Sequence, residues 1–139
     1  MDKEKNKKIL DAIVRSEAGG NLKINLKDEK AVQLILDYIS THKWLINEKI
    51  SFKVSCDQAI FSWTENVYNP LMYAIENSLV LKAFPGKSML EIFSDISDLH
   101  YETIKNSGKE YIPYEAICKK YILKESKNTI IKFLTKVFY

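Results

Sequence analysis

The stretch AIFSWTENVYNPLMYAIENSLVLKAFPGKSMLEIF, residues 59–93, contains most of the signals that place the central helices. Asn69 followed by Pro70 predicts the start of a helix, because Asn can cap a helix and Pro is favoured at the first helical position. From there apolar side chains recur at helical spacing as far as Leu79. We therefore predict that one helix ends before Asn69 and that a second begins at Pro70.

The sequence Phe84-Pro85-Gly86 predicts the end of this second helix. Pro disfavours helical geometry at the residue before it, and Gly supplies a turn, for which we expect a positive φ at Gly86. Phe84 is expected to point into the core, where its burial is favourable. Ser88, followed three residues later by Glu91, is a capping-box pattern, so a third helix is predicted to begin here.

Apolar residues at helical spacing also cover most of the remaining chain. The other predicted helices run over residues 4–17, from Asp28 to about Lys49, from a Ser55 cap to about Val67, from Pro113 to Ile122, and from a Ser126 cap onward. Residues 22–26 alternate apolar and polar side chains, as a short strand would. The sequence therefore predicts an all-α fold, a compact bundle of six or seven helices with at most one short N-terminal strand.

A weak internal repeat supports this architecture. Five residues recur 57 positions further along the chain: Ile35, Ile39, Ser40, Ala59 and Ile60 as Ile92, Ile96, Ser97, Ala116 and Ile117. A helix is also predicted to restart at the same place in both copies. We interpret residues 29–67 and 87–124 as two repeated helix-loop-helix units within a single helical domain that spans residues 1–139.

The composition narrows the class of protein. The net charge of +3, from 21 basic and 18 acidic residues, is too balanced to indicate nucleic-acid binding by itself. The apolar runs are far shorter than a membrane span, and no apolar signal core follows the charged N-terminal residues. Cys56 and Cys118 lack metal-ligand spacing, which favours reduced thiols. We therefore expect a cytoplasmic protein without a membrane partner.

Five residues are candidates for a binding pocket. Trp63, Tyr68 and Tyr73 are close enough in sequence to line an aromatic pocket, although aromatic residues of this kind also form ordinary cores. His42 and Trp44 share one predicted helix, where His42 is a candidate general base or ligand. The residues three and four positions after His42 are apolar, so a histidine bonded within the core is the simpler interpretation.

A second candidate surface is basic. Lys120, Lys124 and Lys127 form one stripe on the helix surface if the helix is continuous. Tyrosine residues lie among the lysines in this part of the sequence. This pattern favours nucleic-acid binding, although lysines of a solvated helix face look the same. The sequence contains no phosphate-binding glycine loop and no nucleophile-elbow, zinc-protease or CxxC motif, so we predict no catalytic residue, metal ion or cofactor.

Residues 42–116 resemble a bacterial helical domain family of unknown function. The resemblance covers about half of the chain and rests on these residues: His42-Lys43-Trp44, Val54-Ser55, Ala59, Ser62-Trp63, Val67-Tyr68 with Pro70, Phe84-Pro85-Gly86-Lys87-Ser88, Gly108 and Glu115-Ala116. Family members occur in transcriptional-regulator-like proteins and beside kinase-like or stress-protein modules. The family tends to carry a second histidine where this chain has Leu99, and His100 follows one place later. The resemblance implies a helical fold and no specific activity.

Capped helices rich in aromatic residues, without a reactive cluster, favour a non-catalytic interaction or regulatory module. Its partner would be another protein or a second copy of the chain. Two alternatives remain open at this point. One is a nucleic-acid-binding, transcriptional-regulator-like protein that uses the basic stripe. The other is an enzyme with a scattered site near His42.

Overall fold

A computed structural model of the chain describes residues 29–49, 53–109 and 111–138. Over these ranges the chain forms seven α-helices and one π-helical segment, and it contains no strand. The predicted all-α class is confirmed. The predicted helix over residues 4–17, the Asp28 cap and the strand at residues 22–26 lie outside the described ranges. The chain divides into two compact units, Met1–Asn69 and Pro70–Tyr139, and the single domain remains a prediction.

The first unit is built from α1 (Glu29–Lys49), α2 (Cys56–Trp63) and the π-helical segment (Thr64–Tyr68), and α1 packs against α2. Helix α1 buries Ala31, Ile35 and Ile39, which are spaced four residues apart and therefore share one face. The predicted Ser55 cap is confirmed. Its hydroxyl oxygen accepts a hydrogen bond from the backbone N–H of Gln58 at 3.1 Å, and the Gln58 side chain accepts one from the Ser55 N–H at 2.9 Å.

The predicted helix end before Asn69 is wrong. Asn69 has helical dihedral angles, φ −63° and ψ −49°, and its N–H donates to the carbonyl of Thr64, five residues earlier. The preceding turn is therefore π-helical. Pro70 has no N–H to donate, and its ring would clash with the carbonyl four residues back in an ideal α-helix, so a widened turn accommodates it without a break. The Thr64 hydroxyl also donates to the carbonyl of Ile60 at 2.7 Å, which favours bending here.

The second unit contains the remaining five helices: α3 (Asn69–Glu76), α4 (Val80–Ala83), α5 (Met89–Ser107), α6 (Tyr114–Glu125) and α7 (Thr129–Phe138). The predicted helix from Pro70 to Phe84 is interrupted at residues 77–79, where Ser78 N–H donates to the carbonyl of Ile75 and the Ser78 hydroxyl accepts from the N–H of Val80. Serine readily bonds to nearby backbone in this way and so competes with helix propagation.

Helices α4, α5 and α7 each pack against α6. Ile92, Phe93 and Ile96 of α5 are buried, as are Ile117 and Ile122 of α6. The predicted Ser88 capping box at the start of α5 is present, and Gly108 ends the helix. The predicted Ser126 cap of α7 is wrong, because the Asn128 side chain accepts the free N–H groups of Ile130 and Ile131, both at 3.1 Å.

The glycine that precedes α5 differs from the predicted pattern. Gly86 does not have a positive φ, although the Phe84-Pro85-Gly86 turn was expected to require one. Pro85 and the bond from Lys87 N–H to the Phe84 carbonyl, 3.1 Å long, form this turn instead. Among the glycines in the described ranges, Gly108 alone has a positive φ, of 69°. Phe84 itself is half-buried rather than enclosed.

We expect Gly108→Ala to lower the free energy of unfolding by about 1–2 kcal/mol, because a Cβ makes the left-handed conformation unfavourable. No atom lies within 4 Å of the position of an added Cβ, so the loss would come from the backbone alone. Gly86→Ala is the matched control, since its added Cβ would also meet nothing within 4 Å but its φ is not positive. Urea unfolding followed by circular dichroism measures both, and equal losses would contradict the assignment.

Candidate functional site

The aromatic candidates do not line one pocket. Trp63 and Tyr68 are each 2% exposed, and their ring centroids lie 5.6 Å apart in the first unit. Trp44 is 61% exposed and Tyr73 is 63% exposed. Trp63 and Tyr68 are therefore core residues, as expected if these aromatic side chains form an ordinary core. Trp44 and Tyr73 are surface residues.

His42 is half-buried and shares a hydrogen bond of 2.8 Å between its Nε2 and the Ser62 hydroxyl. Burial lowers the pKa of His42, which favours the neutral imidazole. A serine hydrogen-bonded to a neutral histidine provides two of the groups of a nucleophilic catalytic site. In such sites a third group orients the histidine. Here the nearby amide of Asn66 donates to the serine oxygen at 3.2 Å and not to the histidine.

A shallow cavity of about 280 Å³ lies beside Trp44 in the first unit. Its lining includes Lys43 and Cys56, and the lysine Nζ is 3.7 Å from the cysteine Sγ. Cys56 begins α2 and is partly exposed. The cavity therefore places an exposed tryptophan near a thiol and an amine, and the residues that line it include no carboxylate.

A polar cluster that the sequence analysis missed joins the Phe84-Pro85-Gly86 turn to α5 and α6. Lys87 Nζ donates to Asp95 Oδ2 at 2.8 Å and to the Tyr121 hydroxyl at 2.9 Å, and that hydroxyl donates to the same Asp95 oxygen at 2.6 Å. Lys87 Nζ also lies 5.3 Å from the centre of the Phe84 ring. We call these three polar residues, Lys87, Asp95 and Tyr121, the turn cluster.

The electrostatics of the turn cluster favour a closed ion pair. The hydrogen bonds to Asp95 and Tyr121 raise the pKa of Lys87 well above its ordinary value. Burial of the Asp95 carboxyl acts to raise its pKa, but the hydrogen bonds from Lys87 and Tyr121 outweigh this effect and the pKa is lowered. Burial and the nearby carboxylate raise the pKa of Tyr121. The three groups therefore bond to one another, although the side chains of Lys87 and Asp95 are 37% and 39% exposed.

The basic stripe is interrupted by acidic side chains. Lys120 donates to the Thr103 hydroxyl at 3.1 Å. Lys124 lines two shallow surface cavities, and Glu102 lines both of them with it. Lys127 lies beyond the end of α6, in the turn before α7. A phosphate backbone that followed these lysines would also meet carboxylates, which opposes binding of a polyanion.

The part of the chain that the structure describes contains no group of three or more His, Cys, Asp or Glu side chains that could hold a metal ion. None of its helices combines the length and the apolar character needed to cross a membrane.

The most unusual surface lies on α7. Ile130, Phe133 and Val137 are 70%, 63% and 56% exposed, and Leu134 beside them is partly exposed. Because positions i, i+3, i+4 and i+7 share one side of a helix, these four residues form a continuous row, which we call the C-terminal apolar face. Thr135, which lies on the opposite side of α7, is fully buried. The helix therefore presents its larger apolar side chains to solvent.

The segment that carries the C-terminal apolar face is basic. Residues 126–139 contain Lys127, Lys132 and Lys136 and no Asp or Glu. Lys127 and Lys136 are exposed. A surface that combines large apolar side chains with one sign of charge favours a partner with apolar side chains and the opposite charge.

Comparison of this chain with protein-family models, with curated proteins and with solved structures finds no match. The family resemblance therefore stays a prediction, and functional inference depends on the geometry of the two units.

Proposed function

We propose that this chain is a non-catalytic interaction module that binds an acidic amphipathic helix of a partner protein through the C-terminal apolar face. The exposure of Ile130, Phe133 and Val137 along one side of α7 carries the proposal. Single exposed apolar residues are common on proteins and need no explanation. A continuous row of large ones is typical of an interaction site.

The spacing of the row supports a helical partner. Anchors at i, i+3, i+4 and i+7 are the pattern by which one amphipathic helix packs on another. Helix α7 has ten residues and is therefore about 15 Å long, which matches roughly three turns of a partner helix. An interface of this size is small, so the expected complex is weak or transient.

The charges favour an acidic partner over a second copy of the chain. If two copies paired through α7, the exposed lysines at positions 127 and 136 of each would approach those of the other, with no acidic side chain from residues 126–139 to compensate. Like charges brought together oppose association. An acidic helix would instead pair with these lysines and cover the apolar row.

The proposal predicts a specific crosslinking pattern. A photo-crosslinking amino acid placed at position 133 of the full chain, in cells, should capture another protein. The crosslinked peptides should map to an acidic amphipathic helix. Adding Val137→Asp should reduce this product by about tenfold or more, because the new carboxylate would be buried against apolar and acidic side chains.

Tyr101 provides the matched control, since it is 61% exposed and lies on α5 of the same unit but outside the apolar row. The same crosslinker at position 101 should not capture the acidic helix. Equal products from both positions would contradict the proposal. Crosslinks to a second copy would indicate self-association, and adducts with lipid would indicate a membrane surface; either result would replace the acidic helix as the occupant.

The proposed location is the cytoplasm. Cys56 and Cys118 are both free thiols, which is usual for a protein in a reducing compartment. Burial raises the pKa of Cys118 to about 12, so this thiol stays protonated and unreactive. A regulatory role of the family type remains part of the same proposal, and identifying the captured partner would test it.

A further inference from the structure

The second unit contains a cavity of about 220 Å³. Residues from α3, from the turn before α4, from α6 and from α7 line it. Apolar side chains, among them Ala74, Leu79 and Ile122, form part of the wall. Glu115 and Lys119 also line it, and both are at least partly exposed, so the cavity opens to solvent beside them. No residue of the C-terminal apolar face lines this cavity, so the inference below is independent of the proposed function.

The hydroxyl of Thr135 is the distinctive feature of this cavity. Thr135 is 0% exposed, lines the cavity, and its Oγ1 has no hydrogen-bond partner. A helical threonine commonly satisfies its hydroxyl by donating to the carbonyl three or four residues earlier, but Thr135 does not. Buried polar groups are nearly always hydrogen-bonded, because an unpaired one costs stability. A buried hydroxyl that stays unpaired beside a cavity therefore indicates a missing partner.

Ordered water competes with a ligand for this hydroxyl. A buried water needs two to four polar partners. The Ser78 hydroxyl, which also lines the cavity, already donates to the carbonyl of Ile75 at 3.1 Å and accepts from the N–H of Val80 at 3.2 Å. Among the residues that the structure describes around this cavity, the Thr135 hydroxyl is the unpaired buried side-chain group. Asn77, Glu115 and Lys119 also line the cavity, so water at its open side has other polar partners, but none of these side chains bonds to Thr135 Oγ1.

We infer that this cavity is a binding site for a small, mostly apolar molecule that carries one hydroxyl group, and that Thr135 recognises the hydroxyl. An apolar cavity of about 150 Å³ in another protein is large enough to bind benzene. The cavity beside Thr135 is somewhat larger, so it accommodates a single aromatic ring or a short alkyl chain with a hydroxyl. The apolar wall contacts the body of the ligand, and Thr135 Oγ1 donates to or accepts from its hydroxyl.

Phenol and benzene are suitable probes, because they share the ring and differ in the hydroxyl. Titration of the full chain with each, followed by NMR of the Ile122 and Leu79 methyl groups, should give saturable shifts. Phenol should bind about tenfold more tightly than benzene, as one net hydrogen bond predicts. In Thr135→Val, which keeps the shape but removes the hydroxyl, the two probes should bind equally. Thr129→Val, at an exposed threonine of the same helix, should leave the preference unchanged.

A second variant keeps the test decisive if Thr135→Val does not fold. Leu79 is only partly buried, so Leu79→Trp should fill the cavity without disrupting the core, and it should abolish the binding of both probes. The inference would be overturned if neither probe bound the unmodified chain, if phenol and benzene bound it equally, or if binding persisted in Leu79→Trp. The first of these results would mean that the cavity holds water or stays closed.

Discussion

Replacement of Trp63 by alanine is expected to lower the free energy of unfolding by about 3–5 kcal/mol. Trp63 is among the largest fully buried side chains and is 2% exposed. The substitution removes most of a large apolar surface, including the contact with the Tyr68 ring at 5.6 Å, and it leaves a cavity that the surrounding helices fill only in part. Urea unfolding should be followed by circular dichroism, because the substitution also removes a fluorescent residue.

Phe61 offers a matched control on the same helix. It is 68% exposed, and it precedes Trp63 by two positions, so its side chain lies on a different side of α2. Phe61→Ala should therefore change the free energy of unfolding by no more than about 0.5 kcal/mol. A loss below about 1 kcal/mol in Trp63→Ala would show that Trp63 is accessible, and it would become a candidate binding residue again.

The parts of the fold that could be predicted depend on local signals. The capping boxes at Ser55 and Ser88 need only residues three positions apart, and both are present in the structure. The helix end at Gly108 follows from the ability of glycine to adopt a positive φ. Burial of Trp63 follows from the size of its apolar surface. In each of these cases the deciding interaction lies within a few residues along the chain or within one side chain.

The elements that differ from the prediction do so for a physical reason that sequence patterns do not contain. Asn69-Pro70 is a good helix start by residue preference, yet a π-helical turn carries the helix through it. The choice between Ser126 and Asn128 as the cap of α7 depended on which oxygen reached the free N–H groups. Residue preferences favour each outcome by only a fraction of the energy that tertiary packing supplies, so packing decides.

The candidate site was harder to predict than the fold. The turn cluster joins Lys87 to a tyrosine 34 residues later, and periodicity says nothing about a contact of that range. An amphipathic helix is normally expected to bury its apolar side, so the exposed position of Ile130 and Phe133 was not foreseen. A signal was present in the sequence, because Lys132 and Lys136 accompany an apolar helix that has no acidic residue. That composition is compatible with either a buried or an exposed apolar side.

Tyr121→Ala is expected to lower the free energy of unfolding by about 3–5 kcal/mol, because a buried aromatic side chain is removed from the junction of three elements. Tyr121 is 3% exposed, and its ring centre lies 4.7 Å from that of Phe84. Urea unfolding followed by circular dichroism measures the loss. Tyr101→Ala, at an exposed tyrosine of α5, is the control and should change the free energy of unfolding by about 0.5 kcal/mol or less.

Tyr121→Phe separates packing from hydrogen bonding. It keeps the ring against Phe84 and keeps the ion pair between Lys87 and Asp95, but it removes the hydroxyl that bonds to both. We expect a loss of about 1 kcal/mol, well below that of Tyr121→Ala. If the Phe84-Pro85-Gly86 turn were a recognition loop, Phe84→Ala would leave the melting temperature nearly unchanged and would instead remove partner binding. A large loss in Tyr121→Ala with a small loss in Tyr121→Phe would mean that ring packing holds this turn on α6, with the turn cluster aligning it.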